Sequence, residues 1–293
     1  MKVIFIGTVI FSKHILLKLI SLKANIVGVY TLEKSSFNSD YFDLTIICKK
    51  HNLDCNYIKN VNDEKTQRDI SELKPDVIFC IGFSQLIKSN ILEIPPYGVI
   101  GYHPSLLPLN RGRHPIIWAI ILGLKKTGST FFFMDEGADS GDILSQKEVE
   151  IENSDNAMSL YNKIVKIAAK QVENFFPKLV SNSYSRIKQN DSLANYWRKR
   201  SVNDGVIDWR MSANTIYNLV RGLSKPYVGA QFLYRNQIIK VWDCEVINIK
   251  KDYIEPGKVI KSDKNQIIIK AGKKAIYLKA IEPNISISEG TYL

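Results

Sequence analysis

The first half of the chain alternates short apolar runs with amphipathic stretches, and this alternation limits the possible folds more than any other feature. Four runs rich in β-branched and aromatic residues have the composition of buried parallel strands, namely residues 3–6, 26–30, 77–81 and 99–103. The stretches between them place apolar side chains on one helical face, which predicts helices at residues 12–22, 43–51 and 65–73. Such repetition implies right-handed crossovers and an open α/β sheet. Ligands of these sheets bind outside the carboxyl ends of the strands.

The second half has a different organisation. A long amphipathic pattern predicts a helix at 157–180, and a second helix at 212–223 begins with Ser212 as its N-cap. Short alternating runs then predict a small five-stranded barrel, with strands at residues 230–234, 238–246, 257–261, 266–270 and 275–278. We therefore expect a first domain at 1–185, a polar linker at 186–206 and a second domain at 207–293.

The charge is unevenly distributed. The chain of 293 residues has 40 Lys and Arg against 29 Asp and Glu, and its 45% hydrophobic content excludes a disordered chain. Residues 198–293 hold 17 basic and nine acidic side chains, so eight of the eleven net charges lie in the last third. This favours an anionic partner there, either RNA, a nucleotide sugar or a polyglutamylated cofactor, with a solvated basic surface as the alternative.

Several classes of protein are disfavoured. No apolar run approaches the ~20 residues of a membrane helix, and Lys13, His14 and Lys18 interrupt the apolar region that a signal peptide needs. The four cysteines form no CxxC pair, so we expect reduced thiols and a cytoplasmic protein. Only Gly7 follows the first strand, so the GxGxxG fingerprint of dinucleotide sites is absent, as is the P-loop pattern.

Residues 98–144 carry the densest chemical signal. His103 ends a predicted strand beside a proline-bracketed loop, which favours a catalytic role over the structural role that most single histidines have. Four acidic residues follow at 135–142, after a predicted strand at 129–134. They either form a simple turn or supply a carboxylate that orients the His103 ring and favours its protonated form. Their spacing does not fit an EF-hand, and we predict no metal site.

Several motifs in this order resemble one known family. They are His-Pro-Ser-Leu-Leu-Pro at 103–108, Arg-Gly at 111–112, Asp-Ser-Gly at 139–141, Ile-Asp-Trp at 207–209 and Lys-Val-Trp at 240–242. This set is similar to the formyltransferases that use 10-formyltetrahydrofolate, which include methionyl-tRNA formyltransferase and the sugar N-formyltransferases of bacterial surface-polysaccharide synthesis. The resemblance implies an α/β fold, with a Rossmann-like, mostly parallel sheet in the catalytic domain and a small OB-like β-barrel domain after it.

The resemblance also implies roles for individual residues. His103 corresponds to the catalytic base and Asp139 to the carboxylate that orients it. The family has an Asn two residues before the His, where this chain has Gly101, and Asn110 is a nearby polar candidate for the missing donor. The resemblance implies that backbone hydrogen bonds hold the folate co-substrate, although Leu86 and Ile87 also fit a hydrophobic core. The residues expected to provide them are Ser84, Gln85, Leu86, Ile87, Gly137, Ala138 and Ser140.

The acceptor is the remaining question. Members that act on tRNA carry a basic, glycine-rich insertion after the second strand, whereas residues 31–43 hold three acids, one base and no glycine. This disfavours a tRNA acceptor. Residues 110–115 and 132–142 also resemble the sugar N-formyltransferases, which implies a nucleotide-linked amino sugar, with dTDP-4-amino-4,6-dideoxyglucose as the best candidate and no nucleic acid or membrane partner. Arginine and lysine would hold the pyrophosphate and an aromatic ring would stack on thymine. The candidate substrate-binding residues are Gly7, Thr8, Arg111, Arg113, Trp197, Arg221, Lys225 and Tyr227.

Two alternatives remain open at this point. The first is a methionyl-tRNA formyltransferase. The second is a binding protein without catalytic activity, which stays open because Gly101 stands where the family has an asparagine. The family also implies a homodimer.

Overall fold

The computed structural model describes residues 1–35, 39–250, 253–263 and 266–293, which form two compact units. The first unit comprises Met1–Pro115, Thr127–Val149 and Asn162–Trp197, and the second comprises Ile116–Lys126, Glu150–Tyr161 and Arg198–Leu293. Each unit therefore combines segments that are distant in the sequence. Within the described residues, no helix has both the length and the apolar character needed to cross a membrane.

The helices and strands of the chain are as follows. The helices are α1 (Ile10–Ser21), α2 (Thr45–His51), α3 (Glu64–Leu73), α4 (Ser89–Leu92), α5 (Pro115–Ile121), α6 (Ala157–Val180) and α7 (Ala213–Gly222). The strands up to residue 197 are β1 (Lys2–Ile6), β2 (Asn25–Thr31), β3 (Cys55–Tyr57), β4 (Val77–Cys80), β5 (Val99–His103), β6 (Arg111–Gly112), β7 (Lys126–Phe133), β8 (Ile143–Glu150) and β9 (Tyr196–Trp197). The later strands are β10 (Ala230–Tyr234), β11 (Gln237–Ile247), β12 (Val259–Ser262), β13 (Ile267–Lys270) and β14 (Ala275–Glu282).

The main sheet of the first unit has the order β3-β2-β1-β4-β5-β7-β8. Its first five strands are parallel, whereas β7 runs antiparallel to β5. The prediction of a mostly parallel, Rossmann-like sheet is therefore confirmed, and the four strands predicted from apolar runs are β1, β2, β4 and β5. Because these strands are parallel, their carboxyl ends lie along one edge of the sheet, and His103 is the last residue of β5.

The first turn of this sheet leaves no room for a side chain at position 7. A Cβ at Gly7 would lie 2.6 Å from the carbonyl oxygen of Ile81, well inside van der Waals contact. The hydroxyl of Ser12 occupies the same corner, where it donates to the Ile81 carbonyl at 2.6 Å and accepts from the N–H groups of Thr8 and Val9 at 3.2 Å. The start of α1 is thereby tied to the end of β4.

The second unit contains five antiparallel strands in the order β10-β11-β14-β13-β12. All five correspond to the strands predicted from short alternating runs, so the strand-rich second domain is confirmed. The preceding helix is also as predicted, because Ser212 is the N-cap of α7 and its hydroxyl accepts from the N–H of Thr215 at 3.1 Å. The apolar face of α7 packs on the core of this unit through Ala213, Ile216, Leu219 and Val220.

Candidate active site

His103 lies at the carboxyl edge of β5 with only 5% of its surface exposed. Its Nε2 is 2.8 Å from the backbone carbonyl oxygen of Asn110, and its Nδ1 is 3.4 Å from Oδ2 of Asp139. A contact of 2.8 Å with a carbonyl oxygen requires an N–H at Nε2, so a neutral ring has its lone pair at Nδ1. The nitrogen that can accept a proton therefore faces the carboxylate of Asp139.

Asp139 is held in position by its backbone and by a second hydrogen bond. Its φ of 57° is left-handed, and its Oδ2 accepts from the N–H of Gly112 at 2.9 Å. The end of this loop is equally constrained, because a Cβ at Gly141 would lie 1.7 Å from the carbonyl oxygen of Phe133. The loop predicted to carry the orienting carboxylate thus presents it to His103.

Gln189 supports this loop, although no motif in the sequence indicates it. Its amide nitrogen donates to the carbonyl oxygens of Asp139 at 2.8 Å and Gly141 at 2.7 Å, and its amide oxygen accepts from the Arg111 guanidinium. Gln189 is 6% exposed although it lies in the polar stretch that predicts a linker. No periodicity or motif distinguishes it from its polar neighbours, because the contacts that bury it come from residues 48 to 78 positions away.

The structure corrects the prediction that Arg111 binds the substrate pyrophosphate. Its side chain is buried and donates to Gln189, to Oδ1 of Asp191 at 2.7 Å and to the hydroxyl of Tyr196 at 3.0 Å. Burial alone would lower the pKa of Arg111, but the hydrogen bonds to Asp191 and Tyr196 raise it above the usual guanidinium value. Because its donors are already used within the first unit, Arg111 stabilises the site rather than binding an anion.

Asn110 reaches His103 through its backbone. Its φ of 64° turns the carbonyl towards the ring, while its side-chain amide oxygen accepts from Nδ2 of Asn195 at 3.1 Å. The Asn195 side chain in turn accepts from the N–H of Asn110 at 2.9 Å. Asn110 therefore offers the ring an acceptor that selects its tautomer, whereas the predicted role of its amide as an oxyanion donor stays a prediction.

The space beside Gly101 is filled by apolar side chains. A Cβ at this position would lie 2.8 Å from Cγ of Met134 and 2.9 Å from Cζ of Phe132. Both side chains belong to a small hydrophobic cluster that also contains Leu107 and Ile143. The asparagine that the resemblance expects at this position would need this cluster to move.

Comparison with known proteins identifies the family. Residues 1–174 match the formyl transferase family, and residues 199–288 match the formyl transferase C-terminal domain. The chain belongs to the formyltransferase family.

The chain is similar to formyltransferases that carry different names. A methionyl-tRNA formyltransferase of Alkaliphilus oremlandii is 34% identical over 96% of this chain and 92% of its own length. A 4-N formyltransferase of Francisella tularensis is 26% identical, with a TM-score of 0.65 over 80% of this chain and 93% of that chain. An N-formyltransferase of Helicobacter canadensis, solved with folinic acid and dTDP-3-aminofucose, has the same fold at 18% identity, with a TM-score of 0.74 over 95% of this chain and 99% of that chain.

The segment of this formyltransferase that is predicted to bind folate, residues 84–87, contains both buried and exposed side chains. Ile87 is 1% exposed and its side chain packs in the hydrophobic core, as the alternative for this residue expected, whereas the binding of folate by its backbone stays a prediction. Leu86 is 59% exposed. Gln85 binds the backbone, because it accepts from the N–H of Val61 at 2.8 Å and donates to the carbonyl of Lys59 at 2.7 Å. Ser84 beside it is half-buried.

The other predicted folate contacts lie on the loop of Asp139. Gly137 and Ala138 are exposed, and Ser140 donates from its hydroxyl to Oδ1 of Asp135 at 2.7 Å. The N–H of Gly137 donates to the same carboxylate oxygen at 3.0 Å. The loop is thus ordered by its own side chains and leaves the backbone of residues 137 and 138 accessible.

The predicted substrate contacts of the first unit differ in accessibility. Thr8 is fully buried beside Gly7, and its hydroxyl has no hydrogen-bond partner among the residues that the structure describes. Arg113 is exposed, and its N–H donates to the carbonyl of Trp197 at 3.0 Å. Trp197 itself is half-buried in the short parallel pair of β6 and β9.

The remaining predicted contacts belong to the second unit. Arg221 is 8% exposed and donates to the backbone carbonyls of Glu152 and Asp155, which corrects its assignment as a pyrophosphate ligand. Burial lowers the pKa of Arg221. Lys225 is exposed with its Nζ 5.5 Å from the centroid of a tryptophan ring, and Tyr227 packs against the hydrophobic core.

Among residues 1–35, 39–250, 253–263 and 266–293, no group of three His, Cys, Asp or Glu side chains is arranged to hold an ion.

Proposed function

We propose that this formyltransferase transfers the formyl group of 10-formyltetrahydrofolate to the amine of a dTDP-linked amino-dideoxy sugar. The observation that carries the chemistry is the pairing of Nδ1 of His103 with Oδ2 of Asp139 at 3.4 Å, combined with the 2.8 Å contact of Nε2 with the Asn110 carbonyl. A buried ring placed between a carboxylate and a carbonyl oxygen can take up a proton, because both N–H groups of the imidazolium then have acceptors.

The residues of this cluster account for the proton transfers. The acceptor amine attacks the formyl carbon, a new C–N bond forms, and the amine proton passes to Nδ1 of His103. The resulting imidazolium donates from Nδ1 to Asp139 and from Nε2 to Asn110, so both of its N–H groups have acceptors. The bond between the formyl carbon and N10 of the folate then breaks, and His103 returns the proton to N10.

The loop after β2 supports a sugar acceptor over RNA. Asp43 accepts from Thr45 at 2.8 Å and from the hydroxyl of Tyr57 at 2.8 Å. Burial alone would raise the pKa of Asp43, but these hydrogen bonds outweigh burial and hold the pKa below its usual value. The carboxylate is therefore charged at neutral pH and repels phosphates. Residues 36–38 of this loop lie outside the described residues.

One observation favours a second candidate function, methionyl-tRNA formylation. The chain is 34% identical to the Alkaliphilus oremlandii enzyme over almost the whole of both sequences, and its last third is strongly basic. The two candidates share the site of His103 and differ only in the acceptor.

A direct assay separates them. Tetrahydrofolate release is measured with 10-formyltetrahydrofolate and either dTDP-4-amino-4,6-dideoxyglucose, other dTDP-amino sugars or charged initiator tRNA. We expect turnover with a dTDP-amino sugar and none with the tRNA, and we expect that His103→Ala abolishes it. Turnover with tRNA alone would establish the second candidate, and undiminished turnover in His103→Ala would show that His103 is not the catalytic base.

We further propose that the protein is a cytoplasmic homodimer that serves surface-polysaccharide synthesis.

A further inference from the structure

A polar cleft of about 470 Å³ lies within the second unit, and the proposed formyl transfer does not use it. Its lining includes Asn153, Asn214, Tyr217 and Asn218, and we call it the amide cleft. Every residue that lines it belongs to the second unit, whereas His103 and Asp139 belong to the first.

One face of α7 forms a wall of the amide cleft. Asn214, Tyr217, Asn218 and Arg221 follow one another at helical spacing, so they share the face opposite the apolar residues of the helix. Arg221 is buried and fixes this wall, because its guanidinium donates to the carbonyl of Asp155 at 2.6 Å and to Oδ1 of Asn218 at 2.9 Å. The wall is therefore held before any ligand arrives.

The amide oxygens on both sides of the cleft are already used. Oδ1 of Asn153 accepts from Nζ of Lys125 at 2.8 Å, and Oδ1 of Asn218 accepts from Arg221. These bonds orient both amides and leave their NH₂ groups as the donors for a ligand. Gly123 keeps one of them accessible, since a Cβ there would lie 3.0 Å from Nδ2 of Asn218.

We infer that the amide cleft binds a saccharide. Hydroxyl groups both donate and accept, so they match a cleft that combines oriented NH₂ donors with the carboxylate of Glu245. One oxygen of this carboxylate pairs with Nζ of Lys279 at 2.7 Å, and a carboxylate has further lone pairs that can accept from a hydroxyl. Tyr217 adds a ring against which the C–H face of a pyranose can pack. A phosphate ligand is disfavoured, because Arg221 is buried against protein carbonyls and the carboxylate of Glu245 in the lining would repel it.

The inference does not depend on the proposed acceptor and is tested by binding. Saturation-transfer NMR and calorimetry on the full chain use the methyl glycosides of glucose, galactose and N-acetylglucosamine, with dTMP and inorganic phosphate as competitors. We expect at least one glycoside to bind with a Kd of about 1 mM, and neither competitor to displace it.

Three single variants test whether the glycoside binds in the amide cleft. Asn214→Ala should weaken it about five- to tenfold through the loss of one hydrogen-bonding amide, and this exposed helical position tolerates Ala. Asn284→Ala, an exposed asparagine of the second unit outside the cleft, should leave it unchanged. His103→Ala should also retain it, which separates the cleft from the acceptor site. The inference is overturned if no glycoside binds, if dTMP or phosphate displaces the glycoside, if the two asparagine variants behave alike, or if His103→Ala loses binding.

Discussion

Replacing Asp139 by Asn tests the catalytic geometry most directly. The side chain keeps its shape but loses its charge, and it no longer offers a carboxylate to Nδ1 of His103 at 3.4 Å and to the N–H of Gly112 at 2.9 Å. A hydrogen bond to a charged group contributes about 1.5–3 kcal/mol, so two of them amount to about 3–6 kcal/mol. If most of this free energy stabilises the imidazolium in the transition state, its loss lowers kcat about 10²- to 10⁴-fold while KM changes little.

The fold should survive this change. The backbone carbonyl of Asp139 still accepts from Gln189 at 2.8 Å, so the loop keeps its anchor and the melting temperature should change little. Steady-state tetrahydrofolate release is measured beside Glu136→Gln, which removes one charge from an exposed position of the same loop. A kcat within threefold of wild type for Asp139→Asn, or an equal loss in Glu136→Gln, would refute the assigned role.

Three further predictions concern stability and are measured by urea unfolding. Gly101→Asn should cost about 1–3 kcal/mol, because its Cβ would meet Cγ of Met134 at 2.8 Å. Arg111→Met should cost about 2–4 kcal/mol, since it removes the buried hydrogen bonds of the guanidinium. Burial raises the pKa of Cys80 and of Cys244 to about 12 from an ordinary 9.0, so the folded protein keeps both thiols protonated while the unfolded chain ionises. The stability that this provides is complete below pH 9, and it is lost as the pH rises towards 12.

Each of these predictions has a control. Gly101→Asn combined with Met134→Ala should recover part of the lost stability, and no recovery would contradict the proposed clash. Arg113→Met, at an exposed neighbouring position, should cost far less than Arg111→Met. The double variant Cys80→Ala and Cys244→Ala should show a shallower decline above pH 9 than the wild type, and an identical decline would assign the effect to other groups.

Local patterns in the sequence predicted the elements of both domains and the position of His103. Apolar periodicity located β1, β2, β4 and β5, and Ser212 was found as a helix cap, because these features depend on neighbours within a few residues. The motif at Asp139 pointed to a loop that the structure places beside His103, and the catalytic roles of both residues stay predictions.

The contacts that hold the site in place follow only from the tertiary structure. The burial of Arg111 depends on Gln189, 78 residues away, and Gln189 also holds the Asp139 loop across 50 residues. Arg111 and Arg113 have the same chemistry and lie two positions apart, yet one is buried and the other exposed. A residue's burial is set by the segments that fold onto it, and the polar segment that covers Arg111 shows no sequence pattern that would place it there.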